Sequence, residues 1–393
     1  MTLSIHPFPA RMAPELALKS LERLEGGTVL DPMTGSGTVV RMARQRNIDA
    51  VGFDLDPLAV LISKVGTTPV EDSEIAYWQD RFIRFARSMN THEVALSWID
   101  GDKDSERFVD YWFAEPQRYD LRRIAYALSV TTEIGMPDDI ADVFRIALSR
   151  IIVTKHQAAS LAQDTSHSRP HRVALASKYE VFEGFEKSLR AVRKRVSLIP
   201  KEGKTVISRG DARHMTSLAD ESIDAVLTSP PYLNAIDYMR GHRMSLIWLG
   251  HRYGDLTTTR SNSIGTERRP DSPFDHDTFR TIKDSMGALS SLPPRYHGMI
   301  ERYVMDLYAI VVEISRVMKA KATATFVMGN SCLKGVYIQN SEALAQAGVM
   351  AGLNLTAKIE RELPSGSRYL PTPTSGALSK RMRKEVILTF VKA

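Results

Sequence analysis

The chain has 393 residues, 43% hydrophobic and 25% charged, enough for a substantial core in one large or two ordinary domains. No uninterrupted apolar run reaches the roughly 18 residues of a membrane span, and Met1–Arg11 holds no leader-like apolar region, so the composition reads as a soluble, cytoplasmic protein. The single cysteine, Cys332, excludes an internal disulfide framework and a multi-thiolate metal site, while a net charge of +6 suits a polyanionic partner.

Taken in chain order, Pro14–Leu24 reads as a helix with Leu16, Leu18, Leu21 and Leu24 as apolar positions, and Gly26-Gly27 ends it. "TVLD" (28–31) is a strand, "GSGTVVRMARQR" turns into a second helix, and "DAVGFDLDP" gives a second strand ending near Asp54, which together make a βαβ unit. Residues 70 to about 200 change texture: "WQDRFIRFARSM" and "IADVFRIALSRIIVTKH" carry helical apolar spacing, so this stretch reads as a helical insertion. Strands resume at "KTVISRGDA" (204–212) and "SIDAVLTSPPY". The polar, Gly/Ser/Pro-rich stretch 250–297 reads as a long loop or mobile lid. Beyond a helix around Met299–Met318, "ATATFVMGN" (322–330) is a buried strand, and "NLTAKIEREL" and "KEVILTFVK" form a closing antiparallel pair around a proline-rich "PSGSRYLPTPTSG".

Chemistry gathers at the predicted strand ends. In "VLDPMTGSGTVV" (29–40), Gly35 and Gly37 permit a tight turn and close ligand approach, and the helix behind them offers unpaired N–H groups. It is not a phosphate loop, because no lysine follows; an ordinary strand-to-helix turn is the plain alternative. Asp54 ends the second strand where an acidic group accepts from ribose hydroxyls, and Asp54 or Asp56 is also a natural N-cap for "PLAVLISK". Asp211 in "GDA" follows another strand and could accept from an adenine amino group, or serve as a turn residue. In "TSPPY" Pro230-Pro231 stop a buried strand at Ser229, leaving the Ser229 hydroxyl, the Pro230 carbonyl and the Tyr232 ring at its C-terminal edge.

Glycine turn, acidic strand end, strand-terminal Asp and Ser-Pro-Pro-Tyr, in that order, resemble the S-adenosylmethionine-dependent methyltransferases that modify exocyclic amino groups of DNA bases. "HPFPARMAPELALKSL" resembles the cofactor-side segment of that family. The resemblance implies an α/β fold, a Rossmann-like class I methyltransferase sheet with a large helical insertion. Residues 1–69, 204–250 and 299–393 lie on the catalytic core, whereas 70–203 and 251–298 do not; these two are candidates for DNA binding and target recognition. It implies S-adenosylmethionine as cofactor, held by Phe8, Arg11, Asp31, Pro32, Thr34, Gly35, Ser36, Gly37, Asp54 and Asp211, with Phe8 and Arg11 near its methionine end. Ser229, Pro230, Pro231 and Tyr232 are then catalytic, acting on a flipped base without a metal. Serine at the first signature position goes more often with cytosine N4, with adenine N6 the near alternative, followed by RNA base amino-methylation and a non-catalytic DNA-binding subunit. Methylation at cytosine C5 is rejected, because the only cysteine sits in "NSCLKG". The partners implied are double-stranded DNA and, in a restriction-modification pair, a cognate restriction enzyme.

Basic groups supply candidate DNA contacts. "DTSHSRPHRV" (164–173), with His167, Arg169, His171 and Arg172, reads as a backbone-contacting loop, as do "RAVRKRV" (190–196), Arg240, His242 and Arg243, and "SKRMRK" (379–384). A solvated surface is the plain alternative for each. A metal site on His167 and His171 is disfavoured, because no carboxylate or Cys cluster completes it.

Overall fold

The computed structural model describes the chain except for residues 1–3, 9–11, 23, 25, 91–93, 164–169, 234–236, 265–274 and 363–383. Seven strands form one sheet: β1 (Thr28–Asp31), β2 (Asp49–Asp54), β3 (Thr205–Arg209), β4 (Ile223–Thr228), β5 (Met318–Gly329), β6 (Leu353–Glu362) and β7 (Lys384–Lys392). Their spatial order is β6-β7-β5-β4-β1-β2-β3. The five strands β3-β2-β1-β4-β5 run parallel, and β7 runs antiparallel between β5 and β6. The chain winds outward from β1 through β2 to β3, then crosses back to place β4 on the other side of β1. That reversal creates a topological switch point, where doubly wound sheets bind ligands at their C-terminal strand ends. The expected Rossmann-like arrangement is therefore present.

Alternation along the strands assigns the two faces. Leu30, Val226, Ala324, Phe326 and Met328 join one apolar cluster with Ile300, Val304, Leu307, Val311 and Ile314 of α13 (His297–Val317). Val29, Ala225, Leu227 and Val327 join another with Val39, Val40 and Met42 of α2 (Thr38–Gln45) and with Ala17 and Leu21 of α1 (Pro14–Leu21). Strands buried on both faces explain why these runs are almost continuously hydrophobic.

The insertion after α3 (Pro57–Val65) is helical, as its spacing predicts, with α4 (Asp72–Ser88), α5 (Ser97–Asp100), α6 (Lys103–Trp112), α7 (Glu115–Ser129), α8 (Asp138–Ile152) and α9 (Val181–Val196). The rings of Phe82, Phe144 and Phe185 meet at its centre, with centroids 5.0 and 5.8 Å from Phe82. Its core is continuous with Leu58, Ala59 and Ile62 of α3 and with Met239 and Met244 of α10 (Met239–Leu246), so it packs beside the switch point.

Two stretches differ from the sequence reading. The expected loop 250–297 contains α11 (Tyr253–Asn262) and α12 (His276–Asp284), the latter capped by Asp275, whose Oδ2 accepts the Thr278 N–H at 3.1 Å. A few anchors, Leu256, Ile282 and Met286, are buried. They are too sparse to outweigh a polar composition when read alone. A helix, α14 (Asn340–Met350), and a short hairpin (Ser331–Leu333 with Val336–Ile338) also occupy what carried no assignment.

Candidate active site

The C-terminal ends of β1 and β4 are neighbours, with Leu30 paired to Val226. One buried bond joins them: the Thr228 hydroxyl donates to Asp31 Oδ1 at 2.8 Å. Thus the glycine turn after β1 and the Ser-Pro-Pro-Tyr corner after β4, some two hundred residues apart in sequence, lie side by side at the C-terminal edge of the sheet. Asp31 Oδ1 also accepts the Met33 N–H at 3.2 Å. Burial, opposed by these bonds and reinforced by the charge of Asp54, pushes its carboxyl up to about 7.

The turn itself is tied to β2. Asp54 Oδ2 accepts the Gly35 N–H at 2.8 Å, Oδ1 accepts the Asp56 N–H at 2.9 Å, and the Thr34 N–H donates to the Phe53 carbonyl at 2.9 Å. Gly35 (φ +48°) and Gly37 (φ +73°) are left-handed, and an added Cβ on Gly37 would lie 3.0 Å from the Ser63 Cα. Thr34 Oγ1 is buried without a partner, a polar atom aimed at no protein group. Ser36 is buried too, its hydroxyl 3.1 Å from that of Thr38, and Pro32 joins the turn to β1. Asp54 keeps unfilled acceptor capacity, since two of about four lone-pair sites are used. Burial first, then the charge of Asp56, pushes its carboxyl up to about 6.

Asp56 caps α3, accepting the Leu58 N–H at 2.9 Å, so of the two aspartates it is Asp56 that serves as the N-cap. Its second oxygen is hydrogen-bonded to His242 Nδ1. Burial pushes Asp56 up, but the charge and hydrogen bond of His242 and the amides of Leu58 and Ala59 outweigh it and hold the carboxyl below its usual range. His242 is 6% exposed, which corrects its reading as a DNA-backbone contact: it is an internal brace. Phe8 stacks on Tyr238 with centroids 5.0 Å apart and leans on His242 at 5.3 Å. The Phe8 ring closes over Gly35, where an added Cβ would come within 3.3 Å. His6, one turn of chain earlier, is bonded to Ser149 Oγ of the insertion at 3.0 Å. Arg11 lies outside the described residues.

After β4, Ser229 and Pro231 are half-buried and Pro230 is buried. Burial first, then the charge of Glu385, pushes the Tyr232 hydroxyl up to about 12, against the lowering influence of the Ser229 side chain and the Gly329 main chain. Its ring packs against the α13-side cluster and is half-buried.

Asp211 is brought to the same edge, for the Gly210 N–H donates to the Asp54 carbonyl at 3.1 Å. Its oxygens are occupied, however. Oδ1 accepts the Arg213 N–H and Nε, each at 2.9 Å, and Oδ2 accepts Nη2 at 2.7 Å. Arg213 reaches on to Asp306 at 2.6 Å, anchoring the turn to α13. Neither the His242 brace nor Arg213 was legible as such, because both depend on partners from distant segments.

The basic candidates separate. Arg240 pairs with Asp237 at 3.7 Å on the surface, and Arg243 lies between the rings of Phe108 and Tyr253. His171 and Arg172 form half of a two-residue hairpin with Ala162–Gln163, with Arg172 over the Tyr111 ring at 5.0 Å. His167 and Arg169 lie outside the described residues, as do 379–383. Among the described residues no group of three His, Cys, Asp or Glu could hold a metal ion, and no helix is long and apolar enough to cross a membrane.

No family model matches the chain. It is 25% identical to the Type II methyltransferase M.MvaI of Kocuria varians, over 99% of this chain and 90% of that protein. It is 21% identical to the Type II methyltransferase M.MjaII of Methanocaldococcus jannaschii over 61% of this chain and 60% of that protein, and 22% identical to M.BsoBI of Geobacillus stearothermophilus over 58% and 48%. Among solved structures, a geranyl diphosphate methyltransferase in complex with SAM is similar at 9% identity and a TM-score of 0.36, covering 97% of this chain and 84% of that one. The similarity to M.MvaI spans the helical insertion as well as the sheet; the curated relatives are Type II methyltransferases.

Proposed function

We propose that the protein transfers a methyl group from S-adenosylmethionine to the exocyclic amino group of a DNA base, cytosine N4. The observation that supports it most is the Thr228–Asp31 bond, which joins the glycine turn to the Ser-Pro-Pro-Tyr corner at one switch point. The turn fits a nucleoside. The orphaned Thr34 hydroxyl, the bare Gly35 backbone beneath Phe8 and the spare lone pairs of Asp54 suit polar groups and ribose hydroxyls, while a buried Asp31 gains from a cationic ammonium. Asp54 presents free acceptor capacity where Asp211 does not. Bound there, the cofactor supplies a methyl group already activated on sulfonium, so proximity and alignment carry much of the rate.

The protein's part is to make the amino nitrogen a better nucleophile. Its lone pair is conjugated into the base ring; acceptors aimed at both amino protons favour a more tetrahedral nitrogen. Ser229 Oγ and the Pro230 carbonyl are such a pair, stiffened by the double proline. The Tyr232 hydroxyl holds Ser229 in place, and the ring faces a base removed from the duplex, where stacking worth roughly 1–3 kcal/mol offsets the few kcal/mol of unstacking. Double-stranded DNA is thus the substrate, and the names of the relatives suit pairing with a restriction enzyme.

The test is incubation of the purified protein with S-adenosylmethionine and genomic DNA, followed by nucleoside analysis. N4-methylcytosine is expected, lost in Ser229→Ala while cofactor binding persists. N6-methyladenine would overturn the choice of base, and undiminished turnover by Ser229→Ala would overturn the site.

A further inference from the structure

A second surface lies one helix away from the glycine turn. Between α6 of the insertion and the start of α11 the molecule has an open concavity of about 240 Å³, lined by Asp104, Arg107, Phe108, Tyr111, Trp112 and Tyr253. That is smaller than the roughly 300–1,000 Å³ of pockets that enclose small ligands. Its walls are aromatic: Phe108 and Tyr253 have centroids 4.9 Å apart, and Tyr111 meets Trp112 edge-on at 4.9 Å. Tyr111 is 52% exposed.

Cations from three separate segments converge on these rings. Arg243 of α10 lies 5.4 Å from the Phe108 centroid and 5.5 Å from that of Tyr253, donating to the Tyr253 hydroxyl at 3.2 Å. Its Nε is buried without a partner, and burial pulls the guanidinium below its usual range. Arg172 of the hairpin stands over Tyr111, and Arg107 rims the concavity. Asp104 is the one acid in the lining; its pairing with Arg107, at 3.7 Å between side chains 69% and 80% exposed, leaves the arginine free to turn. Arginines held against aromatic rings at the surface, with Arg107 exposed and Arg172 seated on the exposed Tyr111, suit the phosphates of a nucleic-acid backbone.

Position links the two surfaces. Tyr238, stacked on Phe8, immediately precedes α10, and Arg243 lies five residues along it. The helix that borders the concavity through Arg243 therefore starts beside the glycine turn.

We propose that this aromatic–arginine concavity between the insertion and α11 is where the DNA flanking the target base docks. The inference rests on the proposed methyltransferase reading. It gives the helical insertion a job that the sheet cannot do.

The test is fluorescence anisotropy with a labelled duplex that the wild-type protein methylates, across a salt series. Tyr111→Ala and Arg172→Ala are each expected to weaken binding about tenfold. Arg172→Ala and the surface variant Arg107→Ala should also each lower the slope of log affinity against log salt by about 0.9. Cofactor affinity and melting temperature should stay at wild-type values, and Arg107→Ala, whose side chain is exposed, keeps the test valid if another variant misfolds. Unchanged affinity and salt slope in folded variants would overturn the docking surface while wild-type methylation leaves the enzyme reading intact. Tighter binding of the matching RNA duplex would overturn DNA as its occupant, and a wild-type protein that neither binds nor methylates DNA would remove both.

Discussion

Asp31 makes a quantitative demand on stability. Its carboxyl is buried at the heart of the switch point and pushed up to about 7 from an ordinary value near 3.8. In the folded state it therefore holds a proton that the unfolded chain releases, and between about pH 4 and pH 7 stability falls as pH rises. The stabilisation is complete below the unfolded value and gone above the folded one. Across that window the loss reaches up to about 4 kcal/mol at 1.36 kcal/mol per pH unit. Asp31→Asn removes the titration and spares the geometry, because both recorded bonds, from the Thr228 hydroxyl and the Met33 N–H, go to Oδ1, where an amide oxygen can stand. Urea unfolding followed by circular dichroism, at half-unit steps from pH 4.5 to 8, should show the variant matching wild type at the acid end and exceeding it increasingly towards pH 8. The variant should also bind S-adenosylmethionine less tightly, since it offers no charge to an ammonium group. Parallel stability profiles for the two proteins would refute the assignment of a buried, protonated Asp31.

The neighbouring pair behaves oppositely. Asp56 is held below its usual range, so its contribution is present above about pH 4 and lost as pH falls below it; Asp56→Ala, which removes a helix cap and strands His242, should cost about 3 kcal/mol in urea unfolding at pH 7. Gly37→Ala forces a side chain into a left-handed position against Ser63 and should lower stability by about 1–3 kcal/mol and abolish cofactor binding in calorimetry. Tyr232→Phe keeps the ring and removes only the hydroxyl proposed to hold Ser229, so turnover should fall roughly two- to tenfold with cofactor affinity unchanged; full activity would leave the tyrosine with its ring as its only role.

What the sequence made legible follows from how local each signal is. Strand, glycine turn and helix over 28–45 can be read because each feature is decided by its own few residues: alternation buries Val29 and Leu30 on opposite faces, and two glycines supply the left-handed turn. The Pro-Pro stop of β4 is equally local, and so is the acidic end of β2. The short helices α11, α12 and α14 escaped, because their few buried anchors acquire meaning only against α6, α13 and the sheet. The internal brace was misread for the same reason. His242, between Arg240 and Arg243, has the neighbours of a surface cation, yet helical periodicity turns it inward to Asp56, 186 residues away, while Arg243 turns to Phe108.

That division bears on how the site is built. The glycine turn is tied to the neighbouring β2 through Asp54 and Phe53, and the Ser-Pro-Pro-Tyr corner to the hairpin beyond β5 through Ser331 Oγ, which donates to the Leu233 carbonyl at 2.6 Å. Their separation is controlled by few links: Thr228 to Asp31 directly, and, through α10, Asp56 to His242 and Phe8 to Tyr238. Since α10 also carries Arg243, any shift of the insertion against α11 is transmitted to the helix that clamps Phe8 over Gly35. A DNA strand seated on the arginine–aromatic concavity would therefore tighten the cofactor side of the site, and by reciprocity bound cofactor would tighten the grip on DNA. Measured as the ratio of duplex affinities with and without S-adenosylhomocysteine, the coupling should be several-fold in wild type and shrink towards one in Tyr238→Ala, where the link between the surfaces is cut. Equal coupling in the two proteins would show that the surfaces act independently.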